Sequence, residues 1–348
     1  MMEYRLLGNT GLKVSVISFG NWLNSDRPDW QQRTNLHVKK AWDLGINYFD
    51  TAEGYGQGEG ERQMGIALKE LNVPREDYVV STKIFWGKPT GSLNNLGLNR
   101  KHIKQGIKAS LERLQLTYVD VVFCHRFDHE TPLEEVARAF TELIQEGLIH
   151  YWGTSEWSAA NIFEAREICE AKNLIKPVVE QPQYNMFVRE SFEKDYGRLF
   201  DIYKLGSTVW SPLCGGILTG KYNQGGIPSG TRWDTFNENP YLKRVWDSYF
   251  ADDKKEKLVK ILTGLADIAK ELNISQAQLA MSWVIANKDV STAITGCSSP
   301  EQLEDVVKSV QVYKSLTPEI LARIEALLSN RPDHGLNFKT WVPLNPRR

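Results

Sequence analysis

At 348 residues, with 42 Lys and Arg against 43 Asp and Glu, the chain has a formal charge of −1, so it lacks a global positive field to hold nucleic acid or an anionic lipid surface. An apolar share of 41% and a charged share of 24% belong to a folded globular chain and exclude disorder as its general state. At about 150 residues per domain the length suggests about two domains, a rule that α/β barrels break by running longer as one unit.

The first predicted element is a glycine-turned hairpin around Gly8 to Gly11, placed to plug one end of a barrel. Eight β-branched or aromatic runs follow: VSVISFG from Val14, NYFDTA from Asn47, YVVSTKIF from Tyr78, YVDVVFCH from Tyr118, HYWGTSE from His150, VVEQPQY from Val178, STVWSPL from Ser207 and STAITG from Ser291. Most intervals hold apolar residues at i, i+3, i+4 and i+7, as in Leu133, Val136, Ala137, Phe140 and Leu143, or Ile162, Ala165, Ile168 and Cys169, and read as helices. Thr131-Pro132-Leu133-Glu134 and Ser275-x-x-Gln278 read as capping boxes, and Thr317-Pro318 and Ser299-Pro300 as similar helix starts. Between them, Tyr222 to Phe250 is polar, aromatic and too long for a plain connector, which predicts an active-site loop. A tail helix from about Thr317 to Asn330 and an irregular end complete the chain.

Strand then helix, about eight times with near-continuous apolar strands, is the pattern of parallel βαβ units. The count of eight favours a closed (β/α)8 barrel with an N-terminal hairpin and a C-terminal helical tail over an open sheet. No linker or low-complexity tract divides it, so a single domain over residues 1–348 is expected. Four dispersed cysteines, Cys124, Cys169, Cys214 and Cys297, give neither a disulfide framework nor a zinc knuckle and fit a reducing compartment. With no signal-peptide core, prenylation Cys or apolar run near the roughly 20 residues that span a bilayer, a cytoplasmic chain is expected.

In such barrels chemistry sits at the C-terminal ends of the strands. Asp50 ends the second strand, Tyr55 follows it, Lys83 lies near the end of the third and His125 closes the fourth. Lys83 stands in an apolar run, where an ammonium needs a counter-charge, and Asp50 is one strand away. A structural ion pair, a loop tyrosine and a rim histidine account for these residues taken singly. Placed together at one rim they make a proton-transfer site. The expectation is that Lys83 lowers the Tyr55 pKa by about two units from about 10, making it a general acid. Asp50 would keep Lys83 charged while His125 hydrogen-bonds the same substrate oxygen. That suits carbonyl reduction, with hydride from a cofactor.

NYFDTAEGYG, VSTKIFWG and VDVVFCHR, flanked by RLLGNTGLKVS and WSPLCGGILTGKY, resemble the aldo-keto reductases from about Tyr4 to Asn330. The resemblance implies the tetrad Asp50, Tyr55, Lys83 and His125 and an NADPH cofactor bound without a Rossmann fold. It further implies a nicotinamide near Trp22, Asp50 and Trp210 with its amide around Ser155 and Gln181. Pyrophosphate would lie along Ser211, Pro212, Leu213, Gly215 and Lys221. The adenosine part would meet Lys221, Arg232, Gly296, Ser298, Gln302 and Asp305, with Ser298 and Gln302 at a helix start that favours an anion. Trp22 and Trp86 would line the substrate pocket with Tyr55 and His125, although plain rim packing explains either Trp as well. Glu156 stands where members of the family often have Asn.

STKIFWG, LNRKHIKQGIKASLERLQLTYVDVVF, YWGTSEWSAANI and EQPQYNMF are similar to the potassium-channel β-subunit branch and its plant relatives. His125 replaces the Asn of the animal branch, and the chain starts at the hairpin without the pore-plugging extension, so plug inactivation is not expected and working catalysis is favoured. The resemblance leaves two functions, a reductase of small aldehydes or ketones and a cofactor-sensing channel subunit, and relatives form tetramers. Other motifs fall short. GGILTGKY has Tyr222 where a phosphate loop needs Ser or Thr, GYGQGEG misses the GxGxxG spacing, and His125, Asp128, His129 and Glu130 lack a distant third metal ligand.

Overall fold

The computed structural model describes residues 1–22, 29–87, 92–231, 233–234 and 240–335. Strands β1 (Tyr4–Leu6) and β2 (Lys13–Ser15) pair antiparallel as the predicted hairpin. The eight apolar runs become β3 (Ile17–Gly20), β4 (Tyr48–Asp50), β5 (Val79–Ile84), β6 (Val119–Cys124), β7 (Ile149–Thr154), β8 (Val179–Glu180), β9 (Gly206–Trp210) and β10 (Thr292–Thr295). All neighbours pair in parallel, and β10 closes on β3. The (β/α)8 barrel read from the sequence is the observed fold.

Helices α1 (Trp30–Asp43), α2 (Glu59–Glu70), α3 (Arg100–Leu114), α4 (Leu133–Gln145), α5 (Ala159–Ala171) and α6 (Gly197–Tyr203) each follow one strand. Three helices, α7 (Pro240–Phe250), α8 (Asp252–Glu271) and α9 (Gln276–Ala286), separate β9 from β10, after which come α10 (Pro300–Val307), α11 (Ser309–Val312) and α12 (Pro318–Leu328). The tail helix is thus where it was expected, with Thr317 accepting from the Ile320 amide.

Alternation along the strands sorts the side chains. Phe49, Val80, Val122 and Cys124 face the helix layer, whereas Tyr48, Val79, Val121, Phe123 and Val179 fill the barrel with Leu7 and Val14 of the hairpin. Leu7 and Val14 are fully buried among residues near the strand starts, so the hairpin floors the barrel. Gly8 makes this approach possible: its φ is +59°, and an added Cβ would lie 2.2 Å from the Gly206 nitrogen. Arg5 fastens the hairpin by donating to the Val290 and Ile285 carbonyls at 2.7 and 2.8 Å, the second of these at the C-terminal end of α9.

Three local expectations are corrected. The Ser275–Gln278 capping box forms, but the Thr131 box does not, because the Thr131 hydroxyl donates to Asp128 at 2.7 Å and Pro132 becomes the cap. Ser299 caps α10 without a side-chain bond. Much of the segment predicted as a loop from Tyr222 to Phe250 is helix α7, since Tyr222, Trp233, Trp246 and Phe250 are buried in one aromatic cluster, with Trp246 and Phe250 stacked at 3.8 Å. Hydrophobic burial accounts for that cluster, while Trp233 and Tyr249 of the same segment also line a cavity, so the segment departs from expectation in its helix and not in its place at the site.

Candidate active site

The inward register that places Tyr48 and Val79 in the barrel also aims Asp50, Ser81 and Lys83 at its axis two and four residues later. Strand β6 carries the same alternation from Val121 and Phe123 to His125. These four therefore emerge at the C-terminal end of the barrel. The next residues after β4, Thr51 to Tyr55, fold back over it.

Lys83 is fully buried, and its Nζ donates to Asp50 Oδ2 at 2.5 Å, to the Thr51 carbonyl at 2.7 Å and to the Tyr55 hydroxyl at 3.2 Å. Burial alone would pull the ammonium pKa down. Asp50 and Tyr55 outweigh that and hold it above the ordinary lysine value. Ser81 and Gln181 donate to the other Asp50 oxygen at 2.6 and 3.2 Å. The Tyr55 ring lies edge-on to His125 with centroids 5.9 Å apart.

Tyr55 corrects the sequence expectation. Its pKa is raised, not lowered: burial is the largest cause, and Asp50 offsets part of the pull from Lys83. An ammonium already paired at 2.5 Å exerts a weaker field on its other neighbour. His125 is held well below its usual pKa, first by burial and then by Lys83 and Arg126, so its ring is neutral.

Around this group stand the other predicted residues. Trp22, 37% exposed, meets the Tyr55 ring at 6.4 Å, and Trp86, 50% exposed, meets His125 at 6.4 Å. Ser155 and Gln181 are buried; the Ser155 hydroxyl donates to the Gln181 carbonyl at 2.9 Å, and Gln181 Nε2 donates to Thr208 at 3.1 Å as well as to Asp50. Trp210, Ser211 and Gly215 line a cavity of about 150 Å³ together with Trp22, Trp233 and Tyr249. Leu213 and buried Pro212 lie on the same turn. Left-handed backbone at Ser211, Cys214, Gly215 and Gly216 coils this turn.

The remaining predicted cofactor residues lie on the chain after β9 and after β10. Lys221 is exposed in the turn beside α9, where Asn223 donates to Gln276 at 2.9 Å. The Ser298 amide and hydroxyl both donate to Gln302 at 3.1 and 3.0 Å. Asp305 accepts from Ser275 and Gln278 at 2.7 and 2.6 Å, which ties α10 to the capping box of α9. Gly296 packs against β3, an added Cβ lying 3.1 Å from the Gly20 carbonyl. Arg232 lies outside the described residues.

The sequence reading missed the buried acids. Glu53 accepts from the Phe85 and Gly87 amides at 2.7 and 3.0 Å and pairs with His102 at 3.3 Å, so it fixes the loop carrying Trp86. Its signal was an acid inside the DTAEGYG run. Glu61 pairs with Arg113 at 2.6 Å and accepts from Thr82. Glu180 accepts from Thr154, and its Oε1 has no partner. Among the described residues no group of three or more His, Cys, Asp or Glu is set to hold a metal, and no helix is long and apolar enough to cross a membrane.

Burial pushes the Glu180 carboxyl up to about 8. The unfolded chain releases that proton near 4.5, so across the window between these values folding takes up a proton and stability falls as pH rises. Glu180→Gln should remove this slope. The gain in urea midpoint over the parent should be larger at pH about 8 than at about 5, and an equal difference at both would contradict the assignment.

A family model, the aldo/keto reductase family, matches residues 16–329. A Schizosaccharomyces pombe protein named "Putative voltage-gated potassium channel subunit beta" is 48% identical over 95% of this chain and 94% of its own. Two plant proteins named "Probable voltage-gated potassium channel subunit beta", from Arabidopsis thaliana and Oryza sativa, are 44% and 42% identical over 97% of this chain and all of theirs. The barrel, its hairpin floor and a match that runs through every barrel strand agree: the chain belongs to the aldo/keto reductase family, a family of oxidoreductases.

Proposed function

We propose that the protein reduces small aldehydes and ketones to alcohols with NADPH, using Tyr55 as the proton donor. The observation that carries this reading is the Tyr55 hydroxyl held 3.2 Å from a buried, Asp50-paired Lys83 ammonium at the mouth of the barrel.

The residues around the 150 Å³ cavity fit a dinucleotide. Trp22, Trp210 and Trp233 offer flat apolar walls for a planar ring. Gly215 is a cradle position, since a Cβ there would lie 2.7 Å from Trp233, and a turn that mixes left-handed Ser211, Cys214, Gly215 and Gly216 with right-handed Leu213 is of a type that presents backbone amides to anions. Ser155 and Gln181 would hold the carboxamide, Ser211 to Gly215 the pyrophosphate, and Lys221, Ser298 and Gln302 the adenosine end. The bound nicotinamide supplies the hydride.

The chain's own residues manage the proton. A phenol with a raised pKa stays protonated through the neutral range, yet it still gives its proton to the far more basic oxygen that develops as a carbonyl becomes an alkoxide. Lys83 donates to the phenol oxygen and so meets the charge left when the proton departs. Neutral His125 can offer its ring N–H to the carbonyl oxygen without competing as an acid. Trp22 and Trp86 cover the substrate and exclude water.

The names of the relatives support a second reading, an auxiliary potassium-channel subunit that senses its nicotinamide. The two roles are compatible. Ultraviolet spectrophotometry separates them: the reductase oxidises NADPH when given nitrobenzaldehyde or methylglyoxal, and a pure docking subunit binds NADPH without consuming it.

Lys221→Met should weaken NADPH by roughly tenfold, the value of one charge-assisted phosphate contact, and weaken NADH less. Equal losses for the two nucleotides in a fluorescence titration would place the 2′-phosphate elsewhere.

A further inference from the structure

Glu156 is the departure from the family pattern noted in the sequence, and the structure gives it an unusual setting. Its Oε1 accepts from the Trp210 indole Nε1 at 2.8 Å and from the Gln183 amide at 2.6 Å. Its backbone is left-handed, with φ +58°, a conformation that costs a non-glycine residue free energy and that persists where surrounding structure holds it. Glu156 makes no ion pair with a Lys, Arg or His among the described residues, and the titratable group beside it is another acid, Glu180, whose carboxyl is pushed by burial up to about 8.

A neutral amide oxygen could accept from both of those donors in the same geometry, although more weakly than a carboxylate. The hydrogen-bond pattern therefore does not itself require the negative charge. That charge sits at the indole nitrogen of Trp210, a residue that lines the candidate nicotinamide cavity. An anion accepting from an indole N–H raises the electron density of the ring, and an electron-rich ring attracts a cation over its face.

Resting on the nicotinamide reading above, we infer that Glu156 and Trp210 together form a selector for the oxidised, cationic nicotinamide: the carboxylate tightens NADP⁺ relative to NADPH. The two nucleotides share every phosphate and adenosine contact. They differ in the charge of the nicotinamide, the ring that the reading above would set beside Trp210. A fixed negative charge beside that ring acts on the difference alone, and it shifts the bound couple toward the oxidised form.

The test is a pair of equilibrium titrations, NADP⁺ and NADPH, followed by quenching of tryptophan fluorescence in the parent and in Glu156→Gln. The amide keeps an acceptor for Trp210 and Gln183 while removing the charge. The expected result is a loss of NADP⁺ affinity of about fivefold, the scale of one partly solvated charge, with NADPH changed less than NADP⁺, and an NADP⁺ preference in the parent that declines with added salt. A fall of equal size for both nucleotides would mean that Glu156 only positions the indole, and would overturn the inference, as would no change in either. Failure of the parent to bind either nucleotide would instead overturn the nicotinamide reading on which the inference stands.

Discussion

Tyr55→Phe should lower the rate of carbonyl reduction by about a thousandfold, within the range that general acids contribute, and leave the dissociation constant of NADPH unchanged. The ring and its edge-on contact with His125 survive the substitution, so the change removes one hydroxyl at 3.2 Å from Lys83 and nothing else of the wall. Turnover equal to the parent would refute the proton-donor role. The same geometry sets the pH profile. The phenol is held above its usual pKa and the imidazole below its own, so neither changes protonation between pH of about 7 and 9 and the parent's rate should be flat there.

Lys83→Met should damage the fold and the chemistry together. The substitution leaves the Asp50 carboxylate in the barrel with Ser81 and Gln181 as its remaining partners, and breaking a buried pair from one side costs about 3–5 kcal/mol. Activity should fall by at least about a hundredfold, since the cation next to the departing proton is gone. Asp50→Asn combined with Lys83→Met tests the cause. Removing both charges should restore most of the urea midpoint without restoring turnover. A double variant as unstable as the single one would show that Lys83 stabilises by packing rather than by pairing.

Much of the fold was legible because a parallel barrel buries its strands on both faces, and such strands appear in the sequence as uninterrupted apolar runs. All eight were visible, down to the two-residue β8 inside VVEQPQY. The tetrad was legible for the complementary reason: Lys83 and Asp50 violate that pattern, and a charged residue in a buried strand needs its partner close by. Less visible were properties fixed by three-dimensional neighbours. Thr131 read as a cap until Asp128 claimed its hydroxyl. The Tyr222–Phe250 stretch read as loop throughout because aromatic content alone does not tell cavity walls such as Trp233 and Tyr249 from the internal helix stack of Trp246 and Phe250. The direction of the Tyr55 shift was reversed because the sequence could weigh the Lys83 charge but not the loss of solvent around the phenol. Glu53 and Glu180 gave no periodic signal at all, since each is one acid whose meaning depends on which amides or hydroxyls face it.

The most direct measurement follows one atom. NADPH carrying deuterium at the reactive face of its nicotinamide is incubated with the protein and a small aldehyde, and the alcohol is examined by mass spectrometry. Direct reduction in this barrel places one deuterium on the carbinol carbon for each NADPH consumed. Alcohol that carries no deuterium, or NADPH that stays unconsumed across a panel of aldehydes, would contradict the account.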